Sequence, residues 1–93
     1  MPSYLLSLEA KQGFEGILDY TLEKYGVDQM LKYTQALELA AEKLALGHAT
    51  FKEMKSVHPN LRVVKSGKHY VFGLMRDSLP MIVMLFFMKE WNY

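Results

Sequence analysis

A chain of 93 residues, 51 % apolar and 23 % charged, has the size and balance of one globular domain and is neither disordered nor large enough for two cores. Eleven basic against ten acidic residues leave a net charge of +1, which excludes a global field that would gather nucleic acid or an acidic membrane. The absence of cysteine excludes disulfides and thiolate metal sites, and Met1-Pro2-Ser3-Tyr4 lacks the basic and long apolar regions of a signal peptide, so a cytoplasmic protein is expected.

In chain order, residues 3–8 (Ser3-Tyr4-Leu5-Leu6-Ser7-Leu8) read as a short strand, with Ser7 placed to cap a helix. Ala10, Phe14, Ile17, Leu18, Thr21, Leu22 and Tyr25 then recur at three- and four-residue spacing, while Glu9, Lys11, Glu15, Asp19 and Glu23 point elsewhere. Gly26 ends this helix in a left-handed cap, and the pattern restarts with Val27, Met30, Thr34, Leu37, Ala41 and Leu44, running to about Gly47. So short a connection predicts an antiparallel helical hairpin.

Residues 48–60 lack a clean period and close on Pro59-Asn60, the mark of a loop. Three β-prone runs follow: 61–65, then 69–75 after Ser66-Gly67-Lys68, then 81–87 after Arg76-Asp77-Ser78-Leu79-Pro80. They predict an antiparallel meander, with the amino-terminal strand joining the same sheet. The stretch Leu79 to Met88 is ten residues long, whereas a membrane-spanning helix needs roughly 20, so Met81 to Phe87 is expected to be an interior strand covered on both faces. The fold class is therefore α+β, ordered β-α-α-β-β-β, in a single domain over residues 1–93.

The chemistry on offer is sparse. Ser66-Gly67-Lys68-His69 lacks the earlier glycine and the following Ser or Thr of a phosphate loop and reads as a hairpin turn. His48, His58 and His69 have nine and ten residues between them and no helical pairing, so no metal site is expected. No Ser/His/Asp constellation is legible and no cofactor is implied. Met30, Met75, Met81 and Met84 fall at apolar positions and read as core filler. One asymmetry stands out: Lys52, Lys55, Arg62, Lys65, Lys68 and His69 gather in the loop and first β-hairpin, while acidic residues concentrate in the helices. Such a cluster is either an ordinary solvated hairpin or a surface that touches an acidic partner or nucleic acid, and the near-neutral charge weakens the second reading.

Several motifs in order, namely Tyr4-Leu5-Leu6-Ser7 with Ala10, Tyr20-Thr21-Leu22-Glu23-Lys24-Tyr25-Gly26 with Gln29 and Tyr33, Leu61-Arg62, and Gly67-Lys68-His69-Tyr70-Val71-Phe72, carry a likeness across nearly the whole chain. The sequence resembles the ParE branch of the RelE/ParE toxin superfamily. That resemblance implies the toxin half of a bacterial type II toxin–antitoxin module of the plasmid-stabilisation kind, neutralised by a ParD-like or related antitoxin encoded beside it. ParE-type members act on DNA gyrase, whereas RelE-type members, the alternative, cleave messenger RNA on the ribosome.

The second activity needs cations to stabilise phosphate charge and a general acid or base near the end of the last strand. Arg62 and His69 suit the first need, but Met84, Leu85, Phe86, Phe87 and Met88 cannot transfer a proton, so a toxin that binds rather than cleaves is expected, with no catalytic residues. Among surface residues, Arg62, His69, Lys89 and Trp91 are candidate target contacts, and on the helical hairpin Leu18, Leu22, Tyr33 and Leu37 are candidate antitoxin contacts. Neither a membrane nor direct, specific nucleic-acid binding is expected.

The tail raises a genetic expectation. Relatives close with a segment like Phe-His-Glu-Arg-Met, an acidic residue and Leu, which Met88-Lys89-Glu90-Trp91-Asn92-Tyr93 does not match. Phe87 to Tyr93 can be encoded TTC ATG AAA GAA TGG AAT TAT, and reading from the third base gives His-Glu-Arg-Met-Glu-Leu. The expectation is loss of one base at Phe87, giving a folded, antitoxin-binding chain that is weakly toxic or inactive; a codon AAG for Lys89 or TTT for Phe87 would sink it.

Overall fold

The computed structural model describes residues 2–48 and 50–88. Strand β1 (Tyr4–Leu6) leads into helices α1 (Leu8–Tyr25) and α2 (Val27–Leu46), followed by β2 (Lys52–Glu53), β3 (Leu61–Ser66), β4 (His69–Arg76) and β5 (Leu79–Met88). The five strands form one sheet in the order β1-β5-β4-β3-β2. Strands β3, β4 and β5 are the expected antiparallel meander, and β1 lies parallel to β5 with Tyr4 opposite Met81 and Leu6 opposite Val83.

Ser7 starts α1 as expected: its hydroxyl oxygen accepts the amide of Ala10 at 3.0 Å, satisfying one of the helix's free N–H groups. Gly26 separates the helices with φ 90° and ψ 175°, a conformation open only to glycine but extended rather than the expected left-handed cap, because it must both end α1 and begin α2. α1 runs toward the carboxyl end of β5 and α2 returns, both against one face of the sheet. Between helices and sheet lie Ala10, Ile17, Leu37, Ala41, Leu44, Val71, Met81, Val83 and Phe86. Each large side chain so enclosed stabilises the fold by about 1.5–3 kcal/mol.

The loop expected over residues 48–60 contains β2, which pairs Lys52 with Val63 and Glu53 with Arg62 and gives the sheet a short outer edge. Two residues are too few to leave a period in the sequence. β5 begins at Leu79, so the preceding turn is only Asp77-Ser78. Pro80 is tolerated near the start of the strand because it has no ladder N–H to lose; the register slips there, and its carbonyl accepts the Arg76 guanidinium at 2.9 Å.

β5 is hydrogen-bonded on both edges, yet it is not covered on both faces as expected. Met81, Val83 and Phe86 point to the helices, whereas Met84 and Leu85 are each 40 % exposed. The cause is a bulge: Phe72 pairs with Leu85 and Gly73 with Val83, leaving Met84 as the extra residue. Met84 is therefore surface, not core filler. Its carbonyl accepts the Ser7 hydroxyl at 3.1 Å, while the Ser7 amide donates to the Val83 carbonyl at 2.9 Å. One serine thus caps α1 and binds the bulge.

Candidate functional site

At the carboxyl end of β5, the β3–β4 turn folds back onto α2. Gly67 has φ 59°, and a Cβ there would lie 2.7 Å from the Tyr33 ring, so only glycine lets the turn sit against that tyrosine. The Tyr33 hydroxyl accepts the Lys68 amide at 3.1 Å and is hydrogen-bonded to Nδ1 of His69, whose ring is 6 % exposed and meets the Tyr33 ring edge-on at 5.5 Å. The Tyr33 hydroxyl thus bridges the Lys68 amide and the His69 imidazole. Tyr20, Tyr25, Tyr33, Lys68, His69 and Met88 line a cleft of about 270 Å³ beside this corner. On its rim Lys24 lies over the Tyr20 ring at 5.5 Å, and a hydrogen bond to Tyr20 raises its pKa.

Arg62 does not join this cleft. Its guanidinium donates to the carbonyl of Leu44 at 3.3 Å, at the last turn of α2, and stacks over Phe51 at 4.2 Å. A cation on the final carbonyls of a helix stabilises its negative end, and here it also pins the start of the 50–60 segment. Arg62 pairs with Gly73 and Ser66 with His69, so Arg62 and His69 sit about 13 Å apart along the strands at roughly 3.3 Å per residue. Lys89 and Trp91, the other candidate target contacts, lie outside the described residues.

Of the candidate antitoxin contacts, Leu18 is partly buried, Leu22 is 42 % exposed, and Tyr33 is partly buried and committed to His69. Leu37 corrects the sequence reading: it is fully buried in the core, so no partner reaches it on the folded domain. The helical period marks an apolar stripe but not which part of it a sheet covers. Of the three histidines, His69 is buried, while His48 and His58 are exposed.

The structure adds a surface that the sequence reading missed. Side chains directly opposite in a sheet share a face, so Val63 with Phe72, Leu61 with Leu74, Phe72 with Leu85, Tyr70 with Phe87 and Leu74 with Ile82 all stand on the side away from the helices. Leu5, opposite Ile82, extends this face and is 44 % exposed. Met54, Val57, His58, Leu61, Phe72, Leu74, Met84 and Leu85 shape a cleft of about 380 Å³ in it. Lys52, opposite Val63, and Lys65, opposite Tyr70, bring cations to the same side, and no described strand residue on that side carries a carboxylate. Glu9, Glu15, Asp19, Glu23, Asp28, Glu38 and Glu42 are all on the helices. The net charge of +1 therefore conceals a molecule with an acidic helical layer and an apolar, cationic sheet face. The signal was present in the second apolar set of the meander, Leu61, Val63, Phe72 and Leu74, out of phase with the core set Val64, Val71 and Met75.

No helix of the described residues is long and apolar enough to cross a membrane. No protein-family model matches the chain. It is 37 % identical over 83 residues to toxin ParE of Escherichia coli, spanning 89 % of this chain and 81 % of that one. It is 32 % identical over 69 residues to toxin ParE1 of Mycobacterium tuberculosis, spanning 74 % of this chain and 70 % of that one. Its fold matches a chain of the chromosomal ParDE toxin–antitoxin system from P. aeruginosa with a TM-score of 0.73 and 14 % identity, over 95 % of this chain and 96 % of that one, a likeness of fold. With the expected α+β architecture in place and curated relatives at this identity and coverage, the chain belongs to the ParE toxin family, the toxin side of type II toxin–antitoxin modules.

Proposed function

We propose that this chain is neutralised by a ParD-like antitoxin that covers its apolar surfaces, and that its target is DNA gyrase, which it engages by binding rather than by chemistry. The observation that supports the reading is the open sheet face, where the outward residues of β5 are Ile82, Leu85 and Phe87 with Met84 at the bulge. Contiguous exposed apolar surface of this kind marks a protein-binding site. The cations beside it, Lys52 and Lys65, favour a partner segment with acidic flanks. A helix or extended segment laid there gains affinity by burying apolar side chains, while flanking carboxylates set its register.

The cleft beside Tyr33 and His69 supports binding too. Its tyrosines offer large, rigid contact area with hydroxyls able to find partners, the composition of interaction hot spots. Among the described residues, the outward end of β5 offers no group that transfers a proton to a leaving oxygen, as cleavage of RNA requires.

The test is a pair of assays on the purified chain, supercoiling by gyrase and integrity of messenger RNA on translating ribosomes. Inhibition of supercoiling with intact messenger RNA is expected. Ribosome-dependent cleavage with gyrase unaffected would overturn the reading. A variant ending His-Glu-Arg-Met-Glu-Leu after Phe87 is expected to inhibit more strongly, and equal or weaker inhibition would remove the proposed shift of reading frame as a cause of attenuation.

A further inference from the structure

The opposite flank of the molecule carries a second feature that neither the antitoxin nor the gyrase reading uses. Among the described residues, β1 ends the sheet and pairs only with β5. The Ser3 carbonyl accepts the Met81 amide at 3.1 Å, and the Ser7 amide donates to the Val83 carbonyl at 2.9 Å. Along a strand, successive residues turn their backbone groups to opposite edges, so Tyr4 and Leu6 aim theirs away from β5. Edges of this kind are templates for another strand unless they are covered or blocked.

This edge opens onto a groove of about 570 Å³ between β1 and α2, lined by Pro2, Tyr4, Gln35, Glu38, Leu39 and Glu42 among others. The lining is amphipathic: the Tyr4 ring is partly buried, Leu39 is 49 % exposed, and Glu38 and Glu42 stand one helical turn apart on α2. Among the described residues, no Lys or Arg lines it. The Tyr4 pKa is raised, first by burial and then by Glu38 and Glu42, so both carboxylates act on the Tyr4 phenol in the groove wall.

We propose that the β1 edge and the groove beside it bind an extended, basic segment of a partner protein, which adds to the sheet as a sixth strand and sets Lys or Arg side chains against Glu38 and Glu42. Backbone pairing to Tyr4 and Leu6 supplies the register, and alternate side chains of the segment enter the groove. Charge decides the occupant. A second copy of this chain would bring the same two carboxylates against each other, and an acidic segment suited to the cationic sheet face meets repulsion here. The two surfaces therefore sort partners of opposite charge.

The probe is a nine-residue peptide of alternating Lys and Val with blocked ends, compared with its Glu/Val counterpart and with the Lys/Val peptide N-methylated throughout. Titration into the full chain, followed by amide chemical shifts and calorimetry, is expected to show binding of the Lys/Val peptide with the largest shifts at Tyr4 and Leu6. The Glu38→Gln/Glu42→Gln variant should weaken it about tenfold, as should raising salt from about 0.05 to about 0.5 M. The Glu/Val and N-methylated peptides should not bind. Both glutamates are exposed, so the variant leaves folding intact, which its thermal midpoint checks. No binding of the Lys/Val peptide at millimolar concentration, binding indifferent to the double variant or to N-methylation, or shifts centred away from β1 would each overturn the proposal. None of these outcomes touches the antitoxin reading, which concerns the other side of the sheet.

Discussion

The Tyr33 hydroxyl is hydrogen-bonded to Nδ1 of His69, joining the first half of α2 to the start of β4. The sequence offered these two residues as members of different surfaces, an antitoxin contact and a target contact. The fold makes them one unit, with Gly67 bare so that the turn closes over the tyrosine ring.

Tyr33→Phe keeps the ring and removes the hydroxyl from both His69 and the Lys68 amide. Leaving a buried imidazole short of a partner costs about 1–3 kcal/mol, and chemical denaturation should show that loss. A midpoint equal to wild type would mean that water replaces the phenol without penalty.

Ser7→Ala removes a helix cap and the hydroxyl on the Met84 carbonyl together. A cap alone is worth about 0.5–2 kcal/mol. The expected loss is about 1–3 kcal/mol, with hydrogen exchange accelerated at both the first turn of α1 and the bulge. Acceleration confined to the helix would show that the bulge does not depend on Ser7.

How far the sequence could be read is clearest at β5. Its existence, its interior place and its antiparallel partner followed from an uninterrupted apolar run after a turn signal. Its exposed face did not, because a bulge at Met84 moves two adjacent residues to solvent, and a bulge is set by pairing with β4 rather than by local composition. The same limit applies to Leu37, which shares its helical period with surface residues and is distinguished only by the sheet above it. Arg62 read as a free cation because nothing local reveals that the end of α2 and Phe51 meet it.

Ser78 in the β4–β5 turn has φ 59°, a conformation that costs a side chain about 1–2 kcal/mol. Ser78→Gly is expected to raise stability by about 0.5–1 kcal/mol, the relief exceeding the added freedom of the unfolded chain. A lower thermal midpoint would show that the serine side chain compensates for its backbone.

Leu85→Lys and Phe86→Ala change neighbouring residues on opposite faces. The first places a charge at a position already 40 % exposed and should alter stability by no more than about 0.5 kcal/mol. The second empties the space against Phe14, whose ring centroid lies 5.5 Å away, and should cost about 3–5 kcal/mol. Equal destabilisation by the two would mean that the outer face is covered within the folded chain.

Whether the open sheet face receives an antitoxin is tested most sharply by calorimetric titration with a ParD-like antitoxin. The unaltered chain should bind tightly, and Leu85→Lys should weaken binding at least about tenfold while the thermal midpoint stays put. Undiminished affinity in the Leu85→Lys chain, or no binding by the unaltered one, would contradict the account.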